Sequence, residues 1–450
     1  MNAIALADTL VILAVATPGS ALAALGVPTA LRRPLPEHAS WWVTRTSMWI
    51  CFLSLASALV VFVAAGVRAH ALAAGTWFSS GGGAFRFDFL VDAMSLGFGT
   101  LAAGMCGVVA AFSHRYLHRD PGFNRYFILF SIFLLGMLFV ALAGSIEVLF
   151  AGWELLGLSS ALLVGFYHER RAPVTNALRV FAVYRISDAA MLAAAVLLHH
   201  VAGTGSLSLL FSPAAGGTGP ALSATALTLI GVLLIAAVAG KCALLPFSGW
   251  LPRAMEGPTP SSAVYYGALS IHAGCYLLLR AGPVLEQSML VRALAIAAGA
   301  STALYATLCA RVQTDVKSAL AYASLTQVGV IVVEIALGLE TVAFIHLAGH
   351  ASFRLLQFLS APNVLHDIHE LQNKMQSGAA NHAHAPRQRP TVRPWERRLY
   401  LFALERGFLD ALLDRWVIGP LQRGARALDR LDRRLAAEPP PAPREGERAI

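Results

Sequence analysis

The stretch LSATALTLIGVLLIAAVAGKCALLPFSGWLP occupies residues 222–252 and decides the fold. Residues 222–239 carry no charge, and Lys241 follows this run. An uncharged apolar run of this length can enter a bilayer, where one ammonium group costs about 2.5–3.5 kcal/mol. Pro246 lacks a backbone N–H, so it predicts that the helix breaks about one turn after the lysine. A lysine beside a broken membrane helix indicates a polar cavity inside the protein.

The rest of the chain has the composition of a membrane protein. Of its 450 residues, 57% are hydrophobic and 13% are charged, whereas a soluble domain carries about 25% charged residues. Apolar runs recur near residues 3–28, 46–67, 89–113, 126–143, 147–166, 174–200, 222–248, 260–279, 291–310, 318–337 and 342–361. The sequence therefore predicts an all-α polytopic membrane protein with about eleven transmembrane helices. Because the first run leads into further spans, it is interpreted as a retained helix and not as a cleaved signal peptide.

Basic residues concentrate in alternate loops, and the formal net charge is +9. They are Arg32, Arg33, Arg45, Arg115, Arg119, Arg125, Arg170, Arg171, Arg179, Arg253, Arg311, Lys317 and several residues of the tail after Arg354. With about eleven crossings these loops share one side, which the positive-inside rule assigns to the cytoplasm. We expect a multi-pass protein of the bacterial inner (plasma) membrane, with its amino terminus outside and its carboxyl terminus in the cytoplasm. The excess of basic over acidic residues reflects membrane topology and contact with the lipid bilayer, and it does not indicate a nucleic-acid partner.

Changes in composition divide the chain into successive parts. Residues 1–87 contain two peripheral helices and an outer loop, and residues 88–361 form the main transmembrane domain. Residues 362–395 predict a cytoplasmic linker, residues 396–435 an amphipathic helix at the interface or against a partner, and residues 436–450 a disordered tail. The 5 cysteines form no C-x-x-C pair. The sequence therefore predicts no iron–sulfur or zinc site built from them. We also expect no other metal site, no cofactor and no catalytic site in this chain.

Two spans before Lys241 carry charges. Glu154 lies a third of the way into the fifth span, where a carboxylate must be protonated or paired. Arg185 and Asp188 of the sixth span are three residues apart and share a helix face. They form either a local bridge that lowers their insertion cost, or a pair close enough to Glu154 or Lys241 to bias their protonation. We expect Glu154 and Lys241 to face one another in a hydrated pocket, so that the carboxylate controls whether the lysine holds its proton.

Later spans add histidines and a second lysine. His346, His350 and Arg354 are spaced four and four, which places one polar stripe on an apolar helix. A proton relay is favoured over a metal site, because a third ligand is missing from the sequence neighbourhood. His272 is either a hydrogen-bonded core residue or a relay group. Lys317 stands at a helix start, from which it can snorkel to the lipid headgroups.

Three acidic residues have simpler interpretations. Asp88 and Asp92 open the third span, where the helix macrodipole favours acidic caps. Glu334 lies near the outer end of the tenth span and is interpreted as an interfacial group.

The eighth span begins with the rigid turn of Pro258 and Pro260.

Taken in order, these motifs resemble the proton-translocating, antiporter-like subunits of respiratory complex I, closest to subunit L, and of Mrp-type antiporters. The motifs are Trp153-Glu154-Leu155-Leu156-Gly157-Leu158, the Arg185–Asp188 stretch, Gly240-Lys241 with Leu245-Pro246 and Trp250-Leu251, Met255 to Ala263, Gln313 to Ser324, and His346 with His350. The resemblance runs from about residue 88 to residue 361, and the ordered set is highly specific. The resemblance implies that residues 88–361 are the proton-conducting domain.

The resemblance also implies roles for individual residues. Glu154 and Lys241 correspond to the family's paired glutamate and helix-break lysine, and the break involves Pro246, Pro252, Pro258 and Pro260. Lys317, His346 and His350 fall on a central polar axis, with Arg354 where a lysine is usual. The proton-transfer set is completed by Arg185, Asp188, His272 and Tyr266, the last standing where the family commonly has a histidine. The fold implied is antiporter-like, with one complete five-helix repeat and an inverted second repeat that ends after three helices.

The implied function is a proton-conducting membrane subunit of a multisubunit ion-translocating complex, in which a partner supplies the driving chemistry. The implied partners are other membrane subunits and a soluble or peripheral subunit on the cytoplasmic side. A shortened chain of this kind also resembles the membrane subunit of inorganic-carbon accumulating complexes, energy-converting hydrogenase arms and Na⁺/H⁺ antiporter subunits. The alternative of another class is a structural membrane anchor for a soluble enzyme, in which the buried charges only hold helices together.

Overall fold

The computed structural model describes residues 3–80, 83–207, 222–361 and 393–435. In these ranges 11 helices are long and apolar enough to cross a membrane. They are α1 Ala3–Ala30, α2 Glu37–Ala64, α3 Ala93–Tyr116, α4 Phe123–Leu142, α5 Ile146–Val164, α6 Arg171–Ala202, α7 Ala224–Lys241, α8 Thr259–Arg280, α9 Met289–Ala310, α10 Val316–Ala336 and α11 Glu340–Ser360. The predicted membrane architecture is confirmed. The largest boundary difference is at α2, which begins at Glu37 because Pro36 precedes it as an extended cap.

A β-hairpin joins α2 to α3, where the sequence predicts only an outer loop. Strand β1 (Ala69–Ser80) pairs antiparallel with β2 (Gly83–Asp92). The hairpin is tied to the helices, because the Gly144 amide donates to the Asp88 carbonyl at 2.8 Å. It therefore marks one end of the bundle, at which α3 and α5 begin and α6 ends; we call this the hairpin end.

Helix α8 is the centre of the bundle, and its most apolar stretch is completely buried. Its middle, Ser262–Leu269, is a π-helical segment between the α-helical pieces Thr259–Ser261 and Ser270–Arg280. Such segments often lie at functional sites. Pro258 caps this helix and Pro260 lies in its first turn, as the rigid turn in the sequence predicts.

Small residues let neighbouring helices approach closely. Helices α4 and α5 cross where a Cβ on Gly152 would lie 2.7 Å from the Gly136 carbonyl oxygen. Helices α9 and α10 cross in the same way, since a Cβ on Gly329 would lie 2.5 Å from the Gly299 carbonyl oxygen. Backbone contacts of this kind are typical of membrane helices, whose association depends on close packing.

The break after α7 comes at Lys241 itself, before Pro246. Ala243 adopts the left-handed region at φ 56, which ends the helix earlier than the proline requires. The Leu245 amide lies beyond the end of the helix and donates to Thr302 Oγ1 of α9 at 2.9 Å. The chain then makes the short helical turn Trp250–Arg253, which contains Pro252, before entering α8.

The segment after residue 392 folds back onto the end of the bundle opposite the hairpin. It contains α12 (Pro394–Leu404), α13 (Leu409–Leu413), the π-helical turn Asp414–Ile418 and α14 (Gly419–Leu435). It is kinked at Gly407, where φ is 64, so it is not the single helix that the sequence predicts over 396–435. The predicted linker, apart from residues 393–395, and the predicted tail at 436–450 lie outside the described residues.

Acidic side chains fasten this segment to the helices. Asp410 accepts from Arg253 at 2.7 Å, and Asp414 accepts from Arg179 Nε at 3.2 Å. The Tyr305 hydroxyl of α9 also donates to the Arg406 carbonyl at 3.0 Å. These carboxylates, which exclude a lipid-facing span, are therefore docking groups on the chain's own bundle.

Candidate functional site

Lys241 is completely enclosed by the helices around it. Its side chain is 0% exposed, and its ammonium donates to the Trp153 carbonyl at 3.1 Å. The same nitrogen lies 4.8 Å from the centre of the Trp153 ring and 4.3 Å from that of Tyr184, so both rings make cation–π contacts. Gly157 provides the space, since a Cβ there would lie 3.0 Å from the ammonium nitrogen.

A line of four alternating charges leads from Lys241 towards the surface of the bundle. Lys241 Nζ lies 3.9 Å from Asp188, Asp188 lies 2.6 Å from Arg185, and Arg185 lies 2.7 Å from Glu154. The inner two residues are buried, with Lys241 0% and Asp188 4% exposed, and the outer two are partly exposed, with Arg185 at 39% and Glu154 at 29%. The formal charges cancel, which is how a membrane protein keeps ionisable groups inside its helices.

Glu154 and Lys241 belong to one line of charges, but their side chains are not paired directly. The glutamate binds Arg185, and Asp188 is the carboxylate closest to the lysine. Arg185 and Asp188 thus form both a local bridge and a connection between the other two charges. The sequence shows that the four residues are ionisable, but their order depends on how α5, α6 and α7 cross.

The crossing of α6 and α7 is fixed by small groups next to the charges. The Ser187 hydroxyl donates to the Ala237 carbonyl at 2.6 Å, and Ser187 precedes Asp188 in the chain. A Cβ on Gly240 would lie 2.5 Å from the Ser187 Cβ, so only glycine permits this approach. Gly240 therefore sets the distance between Asp188 and its neighbour Lys241.

His272 of α8 and His350 of α11 form a second polar cluster. His272 Nε2 lies 2.9 Å from His350 Nδ1, and Arg354 Nε donates to His350 Nε2 at 3.1 Å. His272 Nδ1 is hydrogen-bonded to the Ala268 carbonyl. Arginine is only a donor and a carbonyl is only an acceptor.

These contacts determine where the protons of the two histidines lie. His350 Nε2 must accept from Arg354, so its proton is on Nδ1 and points at His272 Nε2. His272 then carries its own proton on Nδ1, facing the Ala268 carbonyl. Both rings are neutral in this arrangement, and His350 can take up a proton only by breaking its contact with Arg354.

His346 continues the polar stripe towards the hairpin end. Its Nδ1 lies 3.0 Å from Glu334 and its Nε2 lies 3.2 Å from Gln327 Oε1, both on α10. Glu334 therefore has a partner inside the protein, although its position near a helix end suggests an interfacial group. Within the described ranges, no group of three or more His, Cys, Asp and Glu side chains is placed to hold a metal ion.

Two of the predicted site residues lie apart from both clusters. The Tyr266 hydroxyl donates to the Ser160 carbonyl of α5 at 2.7 Å, whereas the hydrogen bonds of His272 go to Ala268 and His350. Lys317 is in the first turn of α10. In the described part of the chain no hydrogen bond or ion pair joins its ammonium to the histidines.

Uncharged groups that the sequence did not indicate lie between the two clusters. Tyr184 touches Lys241, and Ser270 precedes His272 by two residues. The Tyr184 and Ser270 hydroxyls are both buried without a hydrogen-bond partner in the described residues. Buried polar atoms of this kind are typical sites for internal water. No periodic sequence pattern indicates that a particular tyrosine or serine will lie at an internal water site.

Comparison with known proteins identifies the architecture. Residues 143–381 match the family model described as NADH:quinone oxidoreductase/Mrp antiporter, TM. Residues 77–127 match the model described as NADH-Ubiquinone oxidoreductase (complex I), chain 5 N-terminus.

Similar curated proteins carry the names of complex I subunits. NADH-quinone oxidoreductase subunit L of Mycobacterium tuberculosis is 32% identical over 351 residues, which are 74% of this chain and 54% of the relative. Subunit L of Campylobacter jejuni is 36% identical over 294 residues, which are 65% of this chain and 48% of the relative. The chain thus spans about half the length of the curated relatives it matches.

Two solved structures have a similar fold. The Mrp complex from Dietzia sp. DQ12-45-1b matches with a TM-score of 0.65 and 28% identity, over 78% of this chain and 37% of that chain. The membrane-bound sulfane sulfur reductase, an archaeal respiratory membrane complex, matches with a TM-score of 0.68 over 78% of this chain and 70% of that chain. At 21% identity the second match shows the fold alone. By its family model and its relatives, the chain belongs to the NADH:quinone oxidoreductase/Mrp antiporter transmembrane family.

Proposed function

We propose that this chain conducts protons across a membrane as one subunit of a multisubunit ion-translocating complex. The observation that carries the proposal is Lys241, a fully buried amine at a helix break, held 3.9 Å from Asp188 and linked through Arg185 to Glu154. An amine in this place can exchange a proton, and its affinity for that proton depends on the carboxylates beside it.

Protons reach Lys241 from the Glu154 side and leave it towards the histidines. Water at the partnerless Tyr184 and Ser270 hydroxyls would bridge Lys241 to His272. His272 continues to His350, and from His350 the route leads past Arg354 towards Lys317 and the end opposite the hairpin.

The contact between Arg354 and His350 gives this route a gate. Because Arg354 cannot accept a proton, His350 takes one up only after its Nε2 leaves the guanidinium. Lys317, at the opposite end of α10, serves as an access group on the side of the basic loops. A coupled reaction in a partner would supply the energy.

The test is proton flux through the purified complex in proteoliposomes containing a pH-sensitive dye. Lys241→Met and Glu154→Gln should each abolish most of the flux. Glu37→Gln is the matched control, because Glu37 is paired with His118 in an exposed contact away from the charge line. Unchanged flux in the Lys241 and Glu154 variants would refute the proposal.

The two rival functions predict different results in the same preparation. A structural anchor would keep its flux and assembly in Glu154→Gln but lose assembly when residues 396–450 are deleted. A Na⁺/H⁺ antiporter subunit, which the likeness to the Mrp complex favours, would show flux that depends on sodium.

We place the amino terminus outside and the carboxyl terminus in the cytoplasm of a bacterial inner membrane. The support is the shared position of the basic loops and of the docked segment at the end opposite the hairpin. A peripheral subunit would bind on this face, beside α12 to α14. Reporter fusions at both termini test the orientation, and a carboxyl terminus found outside would reverse it.

A further inference from the structure

A second pair of ionisable groups lies at the hairpin end, outside the charge line and the histidine cluster. Glu147 in the first turn of α5 and His199 in the last turn of α6 approach to 2.5 Å. Glu147 is 13% exposed and His199 is 28% exposed, so the pair is largely covered but reachable by water. Nothing in the charge line requires this pair, and neither residue contacts Lys241.

The backbone is shaped to hold the two side chains together. A Cβ on Gly205 would lie 2.5 Å from His199 Nε2 and 2.6 Å from Glu147 Oε1, so a larger residue would separate them. The loop that carries Gly205 is fixed by its carbonyl, which accepts from the Ile146 amide at 2.8 Å. The pair is therefore a constructed feature of the fold and not a chance surface contact.

A cavity connects this pair to the charge line. It has a volume of about 720 Å³ between α5 and α6, and its wall includes Glu147, His199 and Glu154. Glu147 and Glu154 are seven residues apart on one face of α5, which corresponds to a rise of about 10.5 Å. Most of the wall between them is apolar, with Phe150 and Leu192 among the lining residues. Water at its polar positions, where Glu147, His199 and Glu154 offer hydrogen-bond partners, can bridge the two carboxylates.

We infer that the Glu147–His199 pair is a proton-exchange site that connects the aqueous phase at the hairpin end to Glu154 through this cavity. The inference rests on the proposed function, because it supplies the charge line with an access route. The ligand is a proton carried by water. The other charged or titratable groups near the pair are Asp88 on β2, which interacts with both Glu147 and Arg86, His200 on α6, and Glu154 further along α5.

The chemistry of the exchange balances within the pair. When the pair holds one extra proton, it is either a neutral carboxylic acid beside a neutral imidazole or a carboxylate beside an imidazolium. Transfer breaks the O–H bond of Glu147 and forms an N–H bond on His199 Nε2, with no net change in charge. Loss of the proton to water leaves the carboxylate and a neutral imidazole, ready for the next proton. Glu147 Oε2 is buried and has no hydrogen-bond partner in the described residues.

The first test probes the site without any variant. Dicyclohexylcarbodiimide is apolar and reacts with protonated carboxyl groups, so it should enter the cavity and label Glu147 in the complex in liposomes. Peptide mapping by mass spectrometry should find Glu147 labelled, with a pH profile that changes in His199→Gln. Absence of label on Glu147 at every pH, or an identical profile in the histidine variant, would overturn the inference.

The second test measures proton flux in Glu147→Gln, Glu147→Asp and His199→Gln. A group that relays protons contributes roughly 10²-fold to a rate, so Glu147→Gln should lower flux by about that factor. Glu147→Asp should restore part of it. The matched control is Glu37→Gln, because Glu37 and His118 form another Glu–His pair, at 3.0 Å and in an exposed place.

The two proposals fail in different ways. If Lys241→Met abolishes flux but Glu147→Gln does not, the proton-exchange site is wrong and the proposed function stands. If flux is independent of Lys241, the proposed function is wrong, whatever label Glu147 carries.

Discussion

The ion pair between Asp188 and Lys241 should contribute strongly to folding, and a double-mutant cycle measures how much. The two groups are 3.9 Å apart, 4% and 0% exposed, so little solvent screens them. At an effective dielectric constant of about 20 their attraction is about 4 kcal/mol. Asp188→Asn alone leaves the ammonium buried without its closest counter-charge, which costs about 3–5 kcal/mol.

The cycle needs Asp188→Asn, Lys241→Met and the double variant, each compared in free energy of unfolding. Unfolding in mixed micelles of lipid-like detergent and denaturing detergent, followed by circular dichroism, gives these energies. We expect Lys241→Met to cost less than Asp188→Asn, because Asp188 keeps its contact with Arg185 at 2.6 Å. The double variant should recover most of the loss, with a coupling energy of about 4 kcal/mol.

An exposed ion pair on α14 provides the control for this cycle. Asp429 and Arg433 form an exposed pair on α14 at 3.0 Å, so Asp429→Asn should change stability by less than about 0.5 kcal/mol. A coupling energy near zero between Asp188 and Lys241 would refute the charge line, because the two side chains would then not share a buried contact.

Three further predictions follow from single contacts. Gly240→Ala should cost about 1–3 kcal/mol in unfolding free energy and lower proton flux, because the new methyl group overlaps Ser187; wild-type stability and flux would show that the crossing tolerates the methyl. Burial raises the pKa of the Asp92 carboxyl, but hydrogen bonds and charge from Arg280 outweigh it and hold that pKa below its usual value. The stability that this contact contributes is therefore fully present above the pKa of the unfolded state, about 3.9, and is lost as the pH falls through the lower pKa of the folded state. Midpoints of unfolding measured as a function of pH should show this loss at acid pH in the wild type and not in Asp92→Asn. Arg354→Gln should change the ¹⁵N shifts of the neighbouring histidine pair, since the fixed donor to the imidazole is removed, and unchanged shifts would contradict the proton positions assigned above.

Much of the membrane architecture follows from hydropathy alone. Runs of apolar residues fix where helices such as α4 and α5 lie, because an unbroken apolar stretch has no other stable state in lipid. The hairpin differs from the predicted loop, which glycines 81 to 83 indicate. The alternation of residues 84–89, with aromatic groups at 85, 87 and 89, is nevertheless typical of a strand.

The candidate site was predictable in its members but not in its contacts. Ionisable residues inside apolar runs stand out in any sequence, so Glu154 and Lys241 could be named. Their partners depend on helix crossings, which Gly157 and Gly240 set through space and not through sequence spacing. Glu147 carried a weak signal, since it lies two helical turns before Glu154 on the same face.

The most direct test of proton transfer at Lys241 compares two substitutions in the same reconstituted complex. Lys241→Arg keeps the positive charge and the ion pair with Asp188 but cannot release a proton at physiological pH, whereas Lys241→Met removes both. We expect both variants to lose proton flux, while the arginine variant keeps the assembly and stability that the methionine variant loses in part. Flux at the wild-type level in Lys241→Arg would show that the charge alone is needed, and would contradict a proton-transfer role for Lys241.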